Sequence, residues 1–207
     1  MKSNTITKEM IVTEIEGMYN DAMLSANKIY EESENGGGKV RQSNGDLVER
    51  MFKRIAYLVC NMNGFNSVKI TGKKEDSIRI TSKSGGYIDA SVDVHAIVPE
   101  TVSFFAECKT YLDKCYLDRA SSDLKHFKKP GTKNVCFIIS LENAVSKSSE
   151  AYFLDEGYID NIFYLVDGKR SSAKPIWKKD HFKPLNKSKV MELINCVEKH
   201  LNANKKD

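Results

Sequence analysis

In the stretch FFAECKTYLDK, residues 104–114, an aromatic and apolar run gives way to Glu107, Cys108 and Lys109 where a buried strand would continue. Side chains two positions apart on a strand share a face, so Glu107 and Lys109 project together while Cys108 turns the other way with Phe104 and Ala106. Such a carboxylate and ammonium form either an ion pair on an edge strand, contributing about 0–1 kcal/mol, or one half of a catalytic site. The chain holds three acid-x-Lys strings, Glu107 with Lys109, Asp123 with Lys125 and Asp167 with Lys169. Asp123 and Lys125 fall in a helical pattern, where side chains two apart diverge, and Asp167-Gly168-Lys169 reads as a turn. Only Glu107 and Lys109 follow an apolar strand with acids upstream, at Asp93 and Asp89. His95 shares the strand face of Asp93 and reads as a hydrogen-bonded structural histidine.

Other elements must hold these residues in place. Ile11, Ile15, Met18, Tyr19, Ala22, Met23, Ala26, Ile29 and Tyr30 recur at helical spacing and predict a helix over about 7–32. The polar stretch EESENGGGKVRQSNG follows, predicting a glycine-rich connection over about 33–43. A second helix is expected to begin near Asn44 or Asp46, with Leu47, Met51, Ile55, Leu58 and Val59 as its apolar stripe and Glu49 beside the stripe's centre. The runs SVKITG, SIRITS, YIDASVDVHAIV and TVSFFAECKT then read as strands divided by charged or glycine-containing turns. DKCYLDRASSDLKHF reads as a helix, NVCFIISL and NIFYLVDG as strands, and 187–201 as a terminal helix. This order predicts an α/β fold, a mixed central sheet with an antiparallel hairpin flanked by helices, in one domain over 1–207.

The segment VDVHAIVPETVSFFAECK, residues 92–109, resembles the catalytic hairpin of the PD-(D/E)XK nuclease superfamily: an acid on one strand, a short turn, then Glu-x-Lys on the next. The likeness continues through TYLDKCYLDRASSDL, which resembles the approach to the helix that follows this strand in type II restriction endonucleases. The resemblance implies that Asp93 and Glu107 hold Mg2+, that Lys109 serves the attacking water or the charged transition state, and that Glu49 is an additional acid of the site. The residue before Asp93 is Val92 rather than proline, which leaves Asp89 as the alternative ligand. Register bears on the choice. A two-residue turn at Pro99 and Glu100 sets Asp93 opposite Ala106, whereas a three-residue turn ending at Thr101 sets it opposite Glu107, as the nuclease reading requires.

The chemistry explains the gathering of such groups. A phosphodiester repels hydroxide and has a poor alkoxide leaving group, and Mg2+ on one or two carboxylates answers both difficulties. Lysine adds a positive charge near the nucleophile, and acts as a base only where its pKa is lowered. The resemblance implies a restriction enzyme cutting double-stranded DNA to 5′-phosphate and 3′-hydroxyl ends, working as a homodimer with one centre per strand. A repair or junction nuclease of the same fold and a noncatalytic nucleic-acid-binding domain are the other readings.

Charge distribution adds a second candidate surface. Lysine and arginine exceed acids by only 32 to 28, but Lys169, Arg170, Lys174, Lys178, Lys179, Lys183, Lys187 and Lys189 cluster around Trp177 and Phe182 with one acid, Asp180, among them. Such a segment suits backbone phosphates, and lysine-rich loops are also ordinary solvated surface. Five cysteines, odd in number and without a CxxC pair, argue against a disulfide framework or zinc site and suit a reducing cytoplasm. No run approaches the roughly 18–20 apolar residues of a membrane span, and MKSNTITKEM lacks a signal-peptide core.

Overall fold

The computed structural model describes residues 6–32, 36–73, 75, 77–128 and 131–205. Helix α1 (Lys8–Glu32) buries Ile11, Val12, Ile15, Tyr19, Met23 and Ala26, the stripe that its sequence spacing predicts. Helix α2 runs from Gly36 to Met62, so most of the connection expected over 33–43 is helical instead. The reason lies in side chains: Val40, two turns ahead of Leu47, and Asn44, one turn ahead of Val48, are fully buried and carry the buried face of the helix upstream. Positions 33–35 lie outside the described residues.

Strand β1 (Lys69–Gly72) follows, then β2 (Ile78–Thr81), β3 (Tyr87–Ala90), β4 (Val94–Val98) and β5 (Val102–Leu112). The run YIDASVDVHAIV, one stretch by its alternation, is divided at 91–93 between two sheets: β3 pairs only with β2, and β4 enters the main sheet. Helix α3 (Lys114–Leu124) starts at Asp113, whose side chain accepts the Tyr116 backbone N–H at 2.9 Å. Strand β6 (Asn134–Asn143), helix α4 (Lys147–Asp155), strand β7 (Asn161–Tyr164) and helix α5 (Lys187–Ala203) complete the order. Asn186 caps α5 by accepting from the Ser188 and Lys189 amides.

The main sheet has the order β1-β4-β5-β6-β7, antiparallel among β1, β4 and β5 and parallel from β5 through β7. Helices α1, α2 and α5 pack on one face, with Phe104, Ala106, Cys108, Phe137 and Ile139 turned toward them. Helices α3 and α4 cover the other, through Leu117, Ala120, Leu124 and Phe153 against Phe105 and Ile138. Burial on both faces explains why β6 reads as a continuous apolar run rather than an alternating one.

Candidate active site

Strands β4 and β5 pair in the register Val98 with Val102 and Val94 with Ala106. The connection therefore has three residues, Pro99 to Thr101, and continuing the register brings Asp93 opposite Glu107. Pro99 suits the second position of this turn, Thr101 N donates to Val98 O at 3.1 Å, and Glu100 takes a left-handed φ of 59°. A non-glycine residue in that conformation is uncommon, which leaves the length of the turn open to a sequence reading.

Beyond Val94 the ladder gives way to a side chain. Asp93 Oδ2 accepts the Cys108 backbone N–H at 2.8 Å and the Lys109 Nζ at 2.7 Å. Lys109 Nζ also donates to Glu107 Oε2 at 2.6 Å. Two carboxylates thus converge on one ammonium, with Asp93 only 7% and Glu107 only 3% exposed. Glu107 Oε1 is buried and has no hydrogen-bond partner. A buried carboxylate oxygen left in that state is costly, and a hard cation is a ligand that satisfies it. Two carboxylates and one spare oxygen fit Mg2+, which takes one or two protein carboxylates and fills its other positions from water and phosphate.

Burial pushes the Glu107 carboxyl up to about 7, with Lys109 opposing and the Asp93 charge adding to the rise. Burial also works against the Lys109 ammonium, but Glu107 and Asp93 outweigh it and hold the lysine above its ordinary range. The two carboxylates therefore favour the ammonium form of Lys109. Glu49 is half-buried on α2, and its carboxyl is raised by burial and then by the Asp93 charge, with Lys53 and Lys109 opposing. It stands within electrostatic reach of the cluster from the helix. Asp89 is elsewhere: it lies on β3 opposite Arg79 and accepts from that guanidinium. His95 stacks on Phe105 with ring centroids 4.1 Å apart.

The basic segment divides in two. Lys183 Nζ pairs at 2.8 Å with Glu142, a carboxylate only 2% exposed at the end of β6. Lys169 Nζ donates to Val145 O, and Lys187 and Lys189 pair with Glu16 and Glu192. Arg170 lies over the Tyr111 ring at 3.4 Å and Lys178 over Tyr30 at 4.8 Å. Lys174 and Lys179 are exposed. The sequence reading singles out none of the acids in these pairings; for Glu142, the most buried of them, the only signal is an acid closing an apolar run. Past Lys109 along β5, Thr110 and Tyr111 border a cavity of about 230 Å³ together with Glu142, Arg170, Trp177 and Lys178.

No protein-family model matches the chain. It is 25% identical over 228 residues to the type II restriction enzyme DdeI of Desulfomicrobium norvegicum, with 89% of this chain and 93% of that protein covered. Among solved structures it is similar to the small subunit of the heterodimeric restriction endonuclease R.BspD6I, at 13% identity and a TM-score of 0.34 over 91% of this chain and 99% of that one.

Proposed function

We propose that this chain is a Mg2+-dependent, sequence-specific endonuclease of double-stranded DNA, a restriction enzyme of type II, acting as one nuclease domain. The observation that carries the reading is the convergence of Asp93 and Glu107 on Lys109 with the Glu107 Oε1 atom buried and unpartnered. The similarity to a type II restriction enzyme along most of both chains supports it.

Asp93 and Glu107 would hold the cation. When bound, Mg2+ supplies positive charge against a scissile phosphate and makes nearby water more acidic. Lys109 carries three N–H donors, two of them engaged by Asp93 and Glu107, which leaves one for a phosphate oxygen or the attacking water. Its position between the carboxylates keeps it protonated, so its part is orientation and charge. Glu49 adds a third carboxyl from α2, within electrostatic reach of Asp93. The hydrogen bond from the Cys108 amide fixes the Asp93 carboxylate, so the ligand is oriented by backbone before a cation arrives. Lys174, Lys178 and Lys179, with Lys169 and Arg170, would meet backbone phosphates. A twofold homodimer would place one centre on each strand of a palindromic site.

Digestion of unmethylated phage DNA by the purified chain with Mg2+, followed by end sequencing, tests the reading. Discrete fragments sharing one sequence at their 5′-phosphate ends are expected. Preference for branched DNA would favour a junction nuclease, and binding without Mg2+-dependent cutting would favour a noncatalytic domain.

A further inference from the structure

Strands β2 and β3 form a two-stranded ribbon outside the main sheet, and it stands immediately upstream of Asp93. Its pairing, Ile78 with Ala90, Arg79 with Asp89, Ile80 with Ile88 and Thr81 with Tyr87, gives it two unlike faces. Ile78 and Ile80 lean on the cluster that holds Phe105 and Leu117, which ties the ribbon to the sheet face bearing the candidate site. Arg79, Thr81, Tyr87 and Asp89 form the opposite face, and every residue from Thr81 to Asp89 is exposed.

On that outer face one side chain is held in place. Arg79 Nε and Nη2 donate to Asp89 at 2.9 and 3.3 Å, and the guanidinium lies 4.2 Å from the Tyr87 ring centroid. The Arg79 side chain is nonetheless 62% exposed, and an ion pair so exposed adds little to stability. The contacts order a long side chain without burying it. A guanidinium has five N–H donors; Asp89 engages two and leaves the pair of Nη groups along the outer edge able to donate side by side. That edge matches the O6 and N7 acceptors of guanine, and a two-stranded ribbon fits the major groove that displays them.

We infer that the β2–β3 ribbon enters the major groove of the DNA and that Arg79, held by Asp89 and Tyr87, reads a guanine there; this rests on the proposed nuclease function. The distance to the cut is bounded. Asp89 is four residues from Asp93 and Arg79 lies directly across from it, so their backbones are at most about 20 Å apart. At about 3.4 Å per base pair, that backbone span corresponds to roughly six base pairs, and the reach of the two side chains adds to the distance between the guanine and the scissile phosphate.

The test compares the full-length chain with Arg79→Ala and Arg79→Lys on duplexes amplified with guanine or 7-deazaguanine, reading single-turnover cleavage and fragment ends. Loss of N7 is expected to slow wild-type cleavage roughly ten- to hundredfold. Arg79→Ala is expected to tolerate other bases at one guanine of the cut sequence and to respond no further to 7-deazaguanine. Arg79→Lys keeps the charge without the fork and is expected to relax the same position. An unchanged cut sequence in Arg79→Ala, or an equal response to 7-deazaguanine in wild type and variant, would overturn the inference. A second measurement needs no cleavage: Tyr87→p-benzoylphenylalanine, irradiated with duplex DNA and Ca2+, is expected to cross-link to bases. Cross-linking by a chain that never cuts would count against the proposed nuclease and leave the ribbon contact standing. Cutting without cross-linking would count against the ribbon alone.

Discussion

Asp93 ends the pairing of β4 with β5 by its side chain, its Oδ2 taking the Cys108 amide hydrogen at 2.8 Å in place of a backbone carbonyl. One carboxylate thereby does two jobs, satisfying a buried N–H and facing Lys109. The two can be separated. Asn retains an acceptor for the amide, whereas Asp93→Ala leaves the Cys108 N–H unsatisfied at a cost of about 1–3 kcal/mol. Urea unfolding without divalent cations should find Asp93→Ala less stable than Asp93→Asn by that amount. Equal stabilities would mean that the amide finds another partner.

Glu142, held by Lys183, is the most buried acid paired with the basic segment. Lys183→Met strands the Glu142 carboxylate and should lower stability by about 3–5 kcal/mol. Lys189→Met breaks only the exposed pair with Glu192 and should change stability by about 0–1 kcal/mol. Urea midpoints of the two variants test the contrast, and similar values would remove the structural role assigned to Lys183.

Proton linkage at Glu107 has a definite sign. Its carboxyl is raised to about 7 in the fold against an ordinary value near 4.5, so between these pH values the folded protein keeps a proton that the unfolded chain has released. The Glu107 contribution to the stability of the metal-free protein should therefore be fully present below about pH 4.5 and be lost as pH rises to about 7, by something on the order of 3 kcal/mol. Unfolding in EDTA across that window should show the fall in wild type and lose this part of it in Glu107→Gln. Parallel curves for the two proteins would contradict the assignment.

Lys174 and Lys179 are exposed, whereas Lys183 is held by the buried Glu142. Replacing Lys174 and Lys179 with Gln should weaken binding to all duplexes alike and flatten the slope of log affinity against log salt by about 0.9 for each phosphate no longer neutralised. An unchanged slope in a salt titration at fixed Ca2+ would assign both to solvated surface.

Much of the fold and of the site's neighbourhood is legible in residue order. The stripe of α1, the helix over 187–201, the apolar run of β6 and the placing of Glu107 and Lys109 on one strand follow from residue pattern alone. Other features depend on contacts between distant residues. The three-residue turn needs Glu100 at positive φ, and no glycine marks it. The division of 87–98 into a ribbon and a sheet strand has no glycine or proline at the break. The start of α2 lies among glycines and is extended by the burial of Val40 and Asn44. The basic segment reads as one patch because its partners, Glu142, Glu16, Tyr111 and Tyr30, come from other elements. Glu142 and Lys183 are 41 residues apart, and only the folded chain brings them together.

The central claim is that Asp93, Glu107 and Lys109 form a phosphodiester-cleaving site, and the most direct measurement is single-turnover cleavage by Glu107→Gln beside wild type. Glu107→Gln removes the charge of the proposed cation ligand and keeps its shape. Wild type with Mg2+ should convert duplex DNA to fragments with 5′-phosphate ends. Glu107→Gln should show no cleavage above background while binding the same DNA in Ca2+ with affinity close to wild type. Cleavage by Glu107→Gln at the wild-type rate would contradict the account.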